Sequence, residues 1–174
     1  MSTTPPDELL RLTPLFRSLE RGVQDELLRR VTWKNFQEGE VLLSTGEPGR
    51  SLLILLRGKV EVQAREGSTM FRVALLESGA FFGEMAFFDP AAARTAHVVG
   101  RAAGVVANLP HEAYAALART NPAAAANVEK AILAVLADRL EETNRTMAQL
   151  MDSYRSSGLQ SALVWLGKLF GGKG

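Results

Sequence analysis

The sequence predicts an α+β chain in which a β-sandwich or jelly-roll barrel lies between two helical ends. Three observations carry this expectation. Between Thr32 and Pro110, short β-rich runs alternate with glycines at regular spacing, as in all-β sandwiches and barrels. Ahead of them, Leu9, Leu10, Leu12, Leu15, Phe16 and Leu19, then Val23, Leu27, Leu28 and Val31, recur at helical spacing. After His111 the text turns helical again, and Pro122 opens a long alanine-rich segment, proline being favoured at the first helical position.

In order along the chain, Asp7 or Thr13 is the candidate cap of the opening helices. The expected strands are Val41–Leu43, Leu52–Leu56, Val60–Val62, Phe71–Leu76, Thr95–Val99 and Val105–Leu109. Gly158 marks an expected break. The resulting division is a domain over 1–157 (helices 7–30, barrel 31–110, C-terminal helices 111–157) and a tail over 158–174. A chain of 174 residues with 47% hydrophobic content can bury one sizeable core. With no cysteine, disulfides, thiolate catalysis and cysteine-ligated iron–sulfur centres are excluded. A net charge of +1 without any run of Lys or Arg leaves no electrostatic footprint for nucleic acid. Neither a secretory signal nor a membrane-length apolar run is evident, so the expected location is the cytoplasm.

The stretch Phe82-Gly83-Glu84-Met85-Ala86, with Arg94-Thr95-Ala96 ten residues after its Glu, carries the densest chemistry. Gly83 lets the backbone lie against a ligand with no Cβ in the way. Glu84 through Phe88 has the composition of one short helical turn before Pro90, with free N–H groups at its start. Arg94 can meet two phosphate oxygens through its planar fork, and Thr95 adds a hydroxyl donor. Glu84, acceptor-only when ionised, suits a sugar hydroxyl and would repel a phosphate.

This pattern resembles the cyclic nucleotide-binding domain family, which includes catabolite activator proteins, regulatory subunits of cAMP-dependent kinase and cyclic nucleotide-gated channels. Phe36-Gln37-Glu38-Gly39-Glu40 and Gly46-Glu47-Pro48-Gly49-Arg50 are similar to the family's two glycine turns. Leu53 through Val62 is similar to its central hairpin, and Leu76 through Glu84 leads into the phosphate cassette in the family's order. The resemblance implies a jelly-roll (double-stranded β-helix) barrel flanked by N-terminal helices and a long C-terminal helix that serves as dimer contact and lid. It also implies a ligand site made by Phe82, Gly83, Glu84, Met85, Ala86, Arg94, Thr95 and Ala96. Arg139 through Asn144 resembles the point where activator-type members set hydroxyl side chains against the base, which adds Thr143 and Asn144. The implied ligand is cAMP, with cGMP as the alternative.

Leu133, Leu136, Leu140, Thr143, Met147, Leu150 and Tyr154 alternate three and four residues apart, the seam of a coiled coil. The expected use is a homodimer, the other possibility being that the stripe packs on the chain's own core; Ile132 and Val135 lie off the seam. The transcriptional members continue into a helix-turn-helix, whereas this sequence stops at Gly174, so no DNA binding is expected. Leu159, Ala162, Leu163, Leu166, Leu169 and Phe170 share one face of an amphipathic tail. That face suits the chain's own surface or a protein partner's groove better than a membrane, given its single Lys168. The only histidines, His97 and His111, stand apart, so no metal site or cofactor is expected, and with no Ser-His-Asp spacing, no enzyme. The overall expectation is a stand-alone bacterial-type nucleotide sensor that signals through its C-terminal helix or tail. The alternative is a ligand-independent interaction module on the same barrel.

Overall fold

A computed structural model describes residues 5–89 and 91–170. Three helices open the chain: α1 (Pro6–Leu12), α2 (Pro14–Arg17) and α3 (Arg21–Leu28). Six strands and a short helix follow: β1 (Thr32–Phe36), β2 (Val41–Leu43), β3 (Ser51–Glu66), β4 (Thr69–Glu77), β5 (Phe81–Phe82), α4 (Glu84–Phe88) and β6 (His97–Pro110). Helices α5 (His111–Thr120) and α6 (Pro122–Phe170) close it. Of the two candidate caps, Thr13 is the one that works. Its Oγ1 accepts from the Phe16 N–H and donates to the Leu10 carbonyl at 2.7 Å. Asp7 sits inside the first turn of α1, where its charge suits the helix dipole without a capping bond.

All strand pairings are antiparallel, in the order β1-β6-β3-β4, with β2 on β6 and β5 on β3. Inside the jelly roll, Phe36, Leu53, Leu55, Val60, Phe82, Val98 and Val106 form the core, with Leu42, Leu43, Val62 and Leu76 against it. At the helical end, α3 packs on α5.

Three boundaries differ from those expected. Leu52–Leu56 and Val60–Val62 belong to one strand, β3. Gly58 (φ +94°) bends it where the pairing with β6 shifts register, and a Cβ there would stand 2.8 Å from the Ala103 carbonyl. Thr95–Val99 and Val105–Leu109 likewise merge into β6, which begins only at His97 and leaves Thr95 and Ala96 outside. Pairing with β3 carries the strand through its weak Gly and Ala stretch, Val60 opposing Gly100 and Lys59 opposing Ala102. At Gly158 the helix continues to Phe170. One glycine costs about 1 kcal/mol relative to alanine, which its helix-forming neighbours offset. By compactness the chain divides into two units, Met1–Ala131 and Ile132–Gly174, the division falling within α6.

Candidate functional site

The cassette is built where β5 runs into α4. Phe82 is buried and pairs with Leu53 of β3, which anchors the turn that follows. Gly83 caps α4 in the left-handed region at φ +84°, and a Cβ there would lie 2.6 Å from Arg94 Nη1. Only glycine satisfies both demands. Glu84 opens α4 and is half-buried, Met85 is exposed, and Ala86 and Phe87 are buried.

Arg94 is folded inward and only 5% exposed. Its backbone bridges the second glycine turn: its N–H donates to the Glu47 carbonyl at 3.0 Å, and its carbonyl accepts from the Gly46 N–H at 2.8 Å. Nη1 donates to the Gly83 carbonyl at 2.8 Å, and Nη2 donates to the Ser51 carbonyl at 3.0 Å. The guanidinium lies over Gly49, whose missing Cβ would stand 3.1 Å from Nη2. Burial pulls this arginine below its ordinary pKa, and the nearby Glu84 carboxylate opposes the shift. Arg94 makes no ion pair among the described residues.

The remaining expected site residues are less constrained. Thr95 is exposed, with its hydroxyl 3.9 Å from Met85 Sδ, and Ala96 is half-buried just ahead of β6. The fold therefore brings Gly83, Glu84, Met85, Arg94 and Thr95 to one place. Thr143 and Asn144 lie on α6 in the second unit, both exposed, and the Thr143 hydroxyl donates to the Arg139 carbonyl at 2.8 Å. Sequence reasoning missed Ser51, whose backbone holds Arg94 from 43 positions away. No side-chain pattern announces a backbone acceptor. Gly49 was legible as part of a turn but not as the floor beneath a guanidinium.

Behind the cassette, Phe87 of α4 meets Phe88, His111 and Tyr114 with ring centroids 5.0–5.6 Å apart. Tyr114 donates to Glu129, near the start of α6, and burial together with that bond pushes its hydroxyl up to about 12. Short aromatic contacts thus link the cassette helix to α5.

Over residues 33–121 the sequence matches the model of the cyclic nucleotide-binding domain. The chain belongs to the cyclic nucleotide-binding domain family. Among its relatives is a CRP-like cAMP-activated global transcriptional regulator of Mycobacterium tuberculosis, 26% identical over 167 residues, covering 95% of this chain and 72% of that protein. The catabolite activator protein of Thermus thermophilus has a similar fold, with 29% identity and a TM-score of 0.66 over 79% of this chain. The chain spans 63% of that protein. A cyclic nucleotide-binding domain from Methylobacillus flagellatus aligns at 26% identity and a TM-score of 0.69, covering 78% of this chain and 76% of its own. The jelly-roll α+β fold is the one these proteins share. Among the described residues, no helix is long and apolar enough to cross a membrane.

Proposed function

We propose that this cyclic nucleotide-binding domain is a sensor that takes cAMP in preference to cGMP. In this reading Arg94 receives the phosphate, Thr95 adds a donor, and Glu84 accepts from a ribose hydroxyl. Phe82, Gly83, Met85, Ala86 and Ala96 form the wall around them, while Thr143 and Asn144 read the base edge. The observation that carries the reading is Arg94, a buried cation that donates to the carbonyls of Gly83 and Ser51 and to the Ser51 hydroxyl and makes no ion pair among the described residues. Burying an unpaired charge is expensive, and an anionic ligand relieves that cost where an internal Glu would have removed the site's purpose. The mycobacterial relative, described as cAMP-activated, supports cAMP.

The same reading makes the protein a homodimer. Leu133, Leu140, Met147 and Leu150 on α6 are each more than 60% exposed, an apolar seam of the kind that pairs with a second helix; Leu136 and Thr143 complete it. Phosphate capture then biases the cassette, and the Phe87–Tyr114 contacts pass that bias toward the C-terminal helix, which signals to a protein partner. The reading assigns no catalytic step. Calorimetric titration with cAMP and, separately, cGMP tests it. Binding at about micromolar strength or tighter, with cAMP the stronger, is the expected outcome. No heat with either nucleotide would leave the ligand-independent interaction module.

A further inference from the structure

Away from the cassette, the barrel holds a cavity of about 380 Å³ lined by Ser44, Thr45, Gln63, Arg65, Met70 and His97. None of the cassette residues lines it. Gln63 and His97 oppose each other in the β3–β6 ladder, one position out of phase with Val62 and Val98, which pack in the core. Successive strand residues point to opposite faces, so the cavity lies on the outside of the barrel. Its origin is a mismatch of strand lengths. The ladder between β3 and β6 stops at Gln63–His97, whereas the one between β3 and β4 continues to Glu66–Thr69. The β3–β4 hairpin overhangs, and the Ser44–Thr45 segment beyond β2 closes the notch.

Among the described side chains, the charge in this notch is unbalanced. Glu61, two residues back on the same face, has both oxygens engaged: Oε1 accepts from Arg101 at 2.8 Å and Gln63 at 2.7 Å, and Oε2 accepts from Arg101 at 2.9 Å. Further along, Lys59 is paired with Glu77 at 2.6 Å. Arg65 has no ion pair among the described residues. One cation, an imidazole and two hydroxyls thus line a single hollow with a thioether on its wall.

We propose that this cavity is a second binding site, separate from the cassette, for a small organic phosphate. Arg65 and His97 receive the phosphoryl group, with Ser44 and Thr45 donating to it, and the carbon body lies against Met70. A phosphoryl group offers three acceptor oxygens, which matches four candidate donors better than a carboxylate's two. The volume falls at the small end of the range for small-molecule sites.

The protein's two histidines make the test direct, because each reports on one site. His97 lines the cavity, while His111 packs on Phe87 of the cassette helix at 5.4 Å. In proton NMR of the full chain, phenyl phosphate should shift the His97 ring signals saturably, at a dissociation constant on the order of millimolar, and leave His111 still. Arg65→Ala should weaken that binding by roughly tenfold or more, and Arg65→Lys, which keeps the charge but not the fork, by less. Benzyl alcohol should produce no saturable shift, and benzoate a weaker one. The proposal is overturned if His97 does not respond, if His111 moves in its place, if Arg65→Ala binds like the parent, or if benzoate or benzyl alcohol matches phenyl phosphate. Because neither nucleotide nor Arg94 enters the experiment, its failure would leave the cassette reading untouched.

Discussion

Two arginines in this barrel are employed in opposite ways. Arg101 is half-exposed and grips Glu61 with two hydrogen bonds, so its charge is balanced within the fold. That contact, ahead of the bond from Gln63, holds the Glu61 carboxyl down to about 2. Arg94 is far more buried, yet it rests on carbonyl oxygens and makes no ion pair among the described residues, the Glu84 carboxylate acting on it only from nearby. A charge balanced in place ties two strands together. A buried charge without an ion pair is what the anionic ligand proposed for the cassette would use.

The largest effect should come from Arg94→Ala, which removes the phosphate partner and should weaken nucleotide binding by about 2–5 kcal/mol. By calorimetry that is about 30-fold or more in dissociation constant. Arg101→Ala should leave the affinity alone and lower the melting temperature; equal losses of binding in the two variants would erase the distinction between them. Next in size is Gly83→Ala. It places a side chain in a left-handed conformation at about 1–2 kcal/mol and pushes on Arg94, so affinity and unfolding midpoint should fall together. A variant with weakened binding but parental stability would show that φ at this position is not under strain.

Acid should separate the arginines further. The Glu61 pKa is lower in the folded state than in the unfolded chain, so its stabilisation is present above the ordinary carboxylate range and disappears as pH falls toward about 2. The unfolding midpoint of the parent should therefore exceed that of Glu61→Gln near neutrality, and the gap should close in acid. The smallest effect is expected at Asn144→Ala. One neutral hydrogen bond to a base edge contributes about 0.5–1.5 kcal/mol, visible as a few-fold loss for one nucleotide over the other with folding unchanged.

Much of the candidate site could be read from the sequence because it is local. Gly83, Glu84, Arg94 and Thr95 declare themselves by type and spacing, and the helical ends by their periodicity. Other features depend on contacts the linear pattern does not encode. In β1, Thr32 through Asn35 are polar or aromatic without alternation, and only Phe36 is buried, so that strand exists because β6 pairs with it. β5 is two residues long, too short for any period to show. The inward fold of Arg94 is set by the carbonyls of Gly83 and Ser51, and carbonyls have no letter in the sequence. The amphipathic side-chain pattern expected for 158–174 lies outside the side chains described.

Strand β3 is paired along its length with β4, β5 and β6, so three strands of the sheet are aligned against one segment. Adding or deleting a single residue next to Glu61 would turn Val62 away from the core cluster it packs against and slide β3 against both β4 and β6. Between Leu55 and Val60, where the ladder with β6 already shifts register, the strand has room for such a change; from Val60 to Val62 it behaves as a ruler that tolerates substitution but not insertion.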